Sequence, residues 1–199
     1  MEIFFLVLGF LPAVILHEYA HGWVAFRCGD PTAKMAGRLT LNPLKHIDPV
    51  GTLILPGLLI LLRAPIVFGW AKPVPIDYGH LRFPRRDIAL VALAGPLVNI
   101  LLAISFSLLL KLNLSLLLGN FLRISIIINL GLAIFNLLPV PPLDGSRLVL
   151  ALLPLRAARY FAQLESYGMI ILVILLAFRI LDYLVWPAVL YLAKLLGVT

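Results

Sequence analysis

An all-α polytopic membrane protein is the fold class that the sequence predicts, with a three-helix core, a re-entrant segment, short β-strand loops and a C-terminal helical region. Three observations predict it. The chain of 199 residues is 62% hydrophobic and 13% charged, with a mean hydropathy of +1.08, against about half apolar and a quarter charged in soluble domains. Its apolar residues gather in runs, several of them long enough for the ~20 residues of a membrane span. Its basic residues gather between those runs. One domain's worth of chain remains once the spans are counted. Residues 1–199 therefore read as a single membrane-embedded domain, with a core over 1–150 and C-terminal helices over 151–199.

The first run covers residues 3–26. Glu2 stands where a signal peptide carries basic residues, and no A-x-A-like cleavage site follows, so the run is read as a retained helix. The next, "PVGTLILPGLLILL" at 49–62, is short for a span, and Pro49, Gly51, Pro56 and Gly57 weaken it as a helix. Residues 88–110 and 114–138 are each long enough to cross. A last apolar region, 168–197, is interrupted by Arg179, Asp182 and Pro187, which leaves open one kinked span or two. Between these runs, 27–48 and 63–87 are rich in Pro, Gly and basic residues. Their fragments "GRLTLN" and "KPVPI" alternate like short strands. No internal repeat or low-complexity tract is present.

The net charge of +7 does not call for a nucleic-acid partner. In a membrane protein, Lys and Arg mark cytoplasmic loops. Segments 27–48, 63–87 and 141–167 together carry twelve of them, and the link at 111–123 carries two, Lys111 and Arg123. That asymmetry places the first three segments on the cytoplasmic side of the plasma membrane. Cys28 is the lone cysteine, so the chain forms no internal disulfide and no cysteine-based zinc finger.

Within the first run lies "AVILHEYAHGWVAF", residues 13–26, where three ionisable side chains interrupt apolar sequence. His17 and His21 are four apart on a helix and share a face, about 40° from each other around the axis. That spacing can chelate one metal ion. Glu18 projects beside them, where a carboxylate can accept a proton from an attacking water. H-E-x-x-H is the zinc-hydrolase pattern on this logic, and an ionisable group in hydrocarbon points to function. The alternative is a pair of histidines hydrogen-bonded in a helix bundle. A catalytic zinc takes three protein ligands. The other histidines, His46 and His80, lie in basic loops and read as solvated. Asp144, in "FNLLPVPPLDGSRL" at 135–148, is the better third ligand, with Gly145 allowing a tight turn beside it. Alone, Asp-Gly is ordinary turn chemistry.

HEYAH near the N-terminus, "AGPLVN" in mid-chain and "NLLPVPPLDG" later stand in the order found in the site-2 protease family of intramembrane zinc metalloproteases, which the chain resembles over about residues 9–150. The resemblance implies a zinc endopeptidase that acts on transmembrane substrates within the lipid bilayer. His17, His21 and Asp144 would then bind Zn2+ and Glu18 would be the general base. Asn99 and Asn136 would match family amides that contact the substrate or the oxyanion; packing between helices is the alternative for both. "GWAKPVPI", 69–76, is similar to the family's membrane-associated strand loop. Val74 and Ile76 would pair with an unwound substrate by strand addition, with Pro73 and Pro75 restricting that pairing to one edge. The chain lacks the PDZ or CBS modules of larger members.

Parity bears on the short run. If 49–62 crossed fully, His17 and Asp144 would fall on opposite sides of the membrane and could not share an ion. A re-entrant 49–62 leaves three core crossings and brings both toward the cytoplasmic ends. His17 then lies nine residues before the end of its run, so ~13 Å deep. Two other classes fit part of the pattern. A metal or proton transporter could use His17, Glu18 and His21 as a relay, although transporters often show paired halves. A protease-like scaffold could bind zinc without hydrolysis, although a pure binder needs no base at Glu18.

Overall fold

The structure is a computed structural model that describes residues 2–62, 71–112 and 114–198. Arg63 and the first two residues of the strand-like stretch 69–76 lie outside the described residues. The described chain is helical, and four helical runs are long and apolar enough to cross a membrane: Phe4–Cys28, Pro84–Leu110, Leu116–Asn136 and Leu155–Ala177. It is an all-α, multi-pass membrane protein.

Helix α1 (Glu2–Cys28) has 27 residues, about 40 Å of rise. It stops because Gly29, at φ 115, adopts a conformation that side chains disfavour. The Gly29 and Asp30 N–H groups then fold back on Phe26 O and Ala25 O, at 3.2 and 2.9 Å, and so satisfy the last carbonyls. A one-turn α2 (Thr32–Met35) follows. The apolar run at 49–62 forms a π-helical stretch, Pro49–Ile54, leading into α3 (Leu55–Leu61). Helix α4 (Pro84–Leu110) opens with Pro84 in its first turn and with Asp87 accepting from the Phe83 N–H at 2.9 Å, a side-chain cap. Helix α5 (Leu116–Asn136) starts at Ser115, whose side chain accepts from Leu118 N.

The Arg82 N–H donates to Cys28 O at 3.2 Å, so the excursion through 29–81 leaves and returns at the same end of the bundle. It makes no net crossing, as a re-entrant 49–62 requires. Helices α1 and α4 therefore run antiparallel, and α5 returns antiparallel to α4. Beyond α5 come α6 (Asp144–Leu152), α7 (Leu155–Gln163), α8 (Gly168–Ala177) and α9 (Ile180–Leu195). The 155–167 stretch stays at the end where α1 finishes, because Arg147 of α6 pairs with Glu165, Nη1 to Oε2 at 3.0 Å. Gly168 lies there too, so close that a Cβ would sit 2.8 Å from Pro141 C and O. Leu196 O and Val198 O are at the other end, accepting from Ser107 Oγ at 2.7 Å and Arg123 Nη1 at 3.1 Å. Helices α8 and α9 thus make one crossing, broken at Arg179, whose φ is 56. The region 168–197 is one kinked span rather than two.

Two sequence expectations change. Among the described residues, neither 37–42 nor 72–76 pairs as a strand. Pro73 and Pro75 carry no N–H, and a ladder needs those donors. His46 is not solvated but 3% exposed, with Nε2 on Thr40 O at 2.8 Å and its carbonyl accepting from Lys72 N at 2.9 Å. It ties the two loops together. His80 keeps the expected exposure.

Candidate metal centre

Three residues of α4, one turn apart, face three of α1. Val91 lies opposite His21, Gly95 opposite both histidines, and Asn99 opposite Ala13 and His17. His21 Nδ1 donates to Val91 O at 2.7 Å. A carbonyl only accepts, so this nitrogen carries the proton. Asn99 Nδ2 donates to Ala13 O at 3.2 Å and to Asn129 Oδ1 at 2.8 Å, which turns its own oxygen toward His17 Nδ1 at 2.6 Å. The proton of His17 is therefore on Nδ1 as well. Both Nε2 atoms are left bare.

Those two nitrogens lie 3.0 Å apart, and each is 3.1 Å from Asp144 Oδ2. Three acceptors converge with no proton among them when both imidazoles are neutral, and a cation is what such a set suits. Zinc–nitrogen bonds of ~2.0–2.1 Å give tetrahedral edges of about 3.3 Å, close to the triangle seen. Gly95 supplies the space. A Cβ there would lie against His21 Nε2 and 2.6 Å from His17 Nε2. His17, His21 and Asp144 could hold one metal ion, with Asn99 and the Val91 carbonyl fixing ring orientation behind it.

Asp144 arrives from across the chain because α6 packs on α4, with its first turn against the carbonyls just beyond α5. A Cβ at Gly145 would run into the carbonyls of Leu137 and Leu138, so the close approach needs glycine, here without a positive φ. The carboxylate occupies the first turn of α6, where the helix N-terminus favours negative charge.

Glu18 is half-buried beside the histidines, and its Oε2 accepts from the Val74 main-chain N–H at 2.8 Å. Asn99 is wholly buried, and its amide is fully used, with one oxygen and two N–H groups all bonded. It has no donor left for an oxyanion. Asn136 is bonded within its own helix, Nδ2 to Leu132 O at 3.0 Å, and does not join the histidines. The α5 amide that does join is Asn129, buried at 1% exposure, which accepts from Asn99 and donates to Ser125 O at 2.8 Å. Sequence reasoning missed it. Its one signal was a polar amide in mid-span, shared with any residue that merely glues helices. Ile76 makes no bond to the histidines, Glu18 or Asp144.

Fold and site together define a multi-pass membrane protein with a candidate metal centre inside its helix bundle. The family model of peptidase family M50 matches residues 113–178, the stretch that carries Asp144. A protein of Bacillus subtilis (strain 168) named "Putative zinc metalloprotease YwhC" is 42% identical over 193 residues, covering 92% of this chain and 84% of the relative. The same description, with the name Rip2, belongs to relatives in Mycolicibacterium smegmatis and Mycobacterium tuberculosis (strain H37Rv). Each is 31% identical, over 87% and 97% of this chain and 67% and 74% of the relatives. No solved structure matches. The chain belongs to peptidase family M50, the site-2 protease family, and as a member it is a zinc metalloprotease of the membrane.

Proposed function

We propose that the chain is an intramembrane endopeptidase that hydrolyses peptide bonds within or near transmembrane segments of membrane proteins, the reaction of regulated intramembrane proteolysis. His17, His21 and Asp144 are its zinc ligands and Glu18 its general base. The observation that carries this reading is the convergence of two bare Nε2 atoms and Asp144 Oδ2 about 3 Å apart, partway along a helix long enough to span. His17 lies eleven residues before the end of α1, so about 16 Å in by helical rise.

When bound, zinc lowers the pKa of a water toward ~7 and polarises a carbonyl. The chain's own groups do the rest. Glu18 accepts the proton of the attacking water and returns it to the leaving amine. Asn99 and Val91 hold the imidazoles with Nε2 forward. A helical substrate hides its peptide bonds and must unwind, and the extended stretch at 72–76 offers it an edge. Val74 N–H is occupied by Glu18, so pairing falls to the Val74 carbonyl and to Ile76. Asn136, with its Oδ1 unbonded among the described residues, is left for substrate contact. The basic segments beside the site favour a cytoplasmic orientation in the plasma membrane, with residues 1–199 acting as one membrane-embedded unit.

The test compares wild type with Glu18→Gln for zinc content and for cleavage of a panel of transmembrane segments in detergent. The mutant should keep zinc and lose cleavage, because an amide cannot take the proton. Substantial cleavage by pure, zinc-loaded Glu18→Gln would remove Glu18 from the mechanism. Asp144→Ala should lower zinc content where His80→Ala does not, and full occupancy in the Asp144 variant would sink that assignment. In a Cys28→Ala background, cysteines at 34–45, 80–86 and 156–159 should label from the cytoplasm and one at 112–114 from the other face.

A further inference from the structure

The segment Lys72–Asp77 is fixed to the rest of the molecule by its main chain. Lys72 N donates to His46 O at 2.9 Å, and Lys72 O and Pro73 O both accept from Arg38 Nη2, at 2.7 and 3.3 Å. Asp77 N donates to Asp30 Oδ2 at 2.8 Å. Arg38 and Asp30, the two side chains that clamp it, are themselves buried. Pro73 and Pro75 have no N–H, so Val74 carries the one donor of residues 73–75, and that donor meets Glu18 Oε2 at 2.8 Å. The Val74 side chain is 6% exposed and packs over Gly22, one turn beyond Glu18 on α1. A Cβ at Gly22 would lie 2.8 Å from Val74 Cγ1 and 3.3 Å from Ala33 Cβ and Leu39 Cδ1.

We propose that Val74 is the positioning residue for Glu18: its main-chain N–H holds one carboxylate oxygen so that the other faces the metal centre, and Gly22 is the seat that sets the height of that N–H. The proposal rests on Glu18 being the general base. A glutamate has three side-chain torsions, and a free one samples many poses. One fixed oxygen removes most of that freedom, and a misplacement of about 1 Å costs on the order of 100-fold in rate. So many ties on one short extended stretch suit a part that stays put rather than one that opens for substrate.

The test uses the full-length enzyme in detergent with a transmembrane substrate, reading kcat, KM, zinc content and melting temperature for Gly22→Ala, Gly22→Ala/Val74→Ala, Val74→Pro and Glu18→Gln. Gly22→Ala adds a methyl where Val74 Cγ1 sits, and it should lower kcat by about 10- to 100-fold. KM, zinc content and melting temperature should barely move, since alanine itself favours a helix. Trimming Val74 in the same chain reopens that space and should recover at least tenfold of the lost kcat. Val74→Pro, which removes the donor and also fixes φ and replaces the side chain that rests on Gly22, should lose at least as much kcat as Gly22→Ala. If Val74→Pro fails to fold, the Gly22 pair decides. Full kcat in Gly22→Ala beside an inactive Glu18→Gln overturns the role of Val74 and leaves the base in place. A loss confined to KM would leave Val74 a substrate contact alone, with no part in positioning Glu18, and equally overturns it. Cleavage by Glu18→Gln would instead strike the underlying reading of the base.

Discussion

Two seams meet along α4 and α5, and they are built of different material. The seam with α1 joins polar groups: His17 to Asn99, Asn99 to Asn129 and to the Ala13 carbonyl, and His21 to the Val91 carbonyl. The seam with α9 buries Ala103, Ile126 and Leu130 against Val189, Ala193 and Val198. In lipid, burying an apolar side chain gives no hydrophobic gain over facing a lipid tail, so the second seam depends on close van der Waals packing, with Ala103 and Ala193 as its small residues. The first depends on its polar atoms finding partners, since an orphan in hydrocarbon is costly; the buried Ser125 hydroxyl, against Gly9 of α1, has none among the described residues. One seam fixes where atoms sit, and the other only keeps helices together.

The comparison breaks most sharply at Gly95. Gly95→Ala places a methyl among the imidazoles and should weaken zinc retention by about 10- to 100-fold. Dialysis against graded chelator with elemental analysis checks this, and unchanged retention would mean that the histidines sit elsewhere. Asn129→Leu comes next. It leaves one Asn99 N–H unpaired in a buried site and should cost about 1–2 kcal/mol of stability. Zinc retention should also loosen several-fold, because the amide that aligns His17 can then rotate. Val189→Ala, on the apolar seam, should cost about 1 kcal/mol in a detergent melt through lost packing. Zinc content and cleavage per folded molecule should stay as in wild type, and a loss of zinc there would erase the distinction between the seams.

The smallest effect concerns Asp30, outside the membrane spans. Burial pushes its carboxyl up, but hydrogen bonds from the Thr32 hydroxyl and the Thr32 and Asp77 main chain outweigh that and hold it below the ordinary carboxylate range. A group depressed in the fold stabilises it above the unfolded value, and that contribution fades as pH falls through the folded one. Below about pH 4, wild type should therefore lose stability more steeply than Asp30→Asn. Parallel acid limbs in the two melts would contradict it.

The polar seam was far more legible in the sequence than the apolar one. His17, Glu18, His21 and Asp144 stand out because ionisable groups are rare in apolar helices, and the spacing of the first three fixes their face. The three core crossings and the re-entrant run followed from length and parity. What stayed hidden depends on contacts across the bundle. Asn129 looks like any polar residue in a span until Asn99 is seen against it. Gly95 matters because of two rings on another helix, which no local pattern records. His46 sits among basic residues, and its burial follows from a loop that folds over it. The alternation in 72–76 suggested strands, yet two prolines in five residues remove the donors that a strand needs.

The hydrogen bond between Arg82 and Cys28 makes residues 29–81 a detour that starts and finishes at one spot. Lengthening such a detour leaves the order and direction of every crossing untouched, and doubling a loop costs only ~0.6 kcal/mol in closure entropy. Gly37, exposed at φ 64 with open space around it, is a natural splice point. A flexible Gly/Ser stretch inserted there should leave zinc content and cleavage at wild-type levels, whereas the same insert within 136–144 should abolish both. The chain can thus grow at this detour while the metal centre keeps its dimensions.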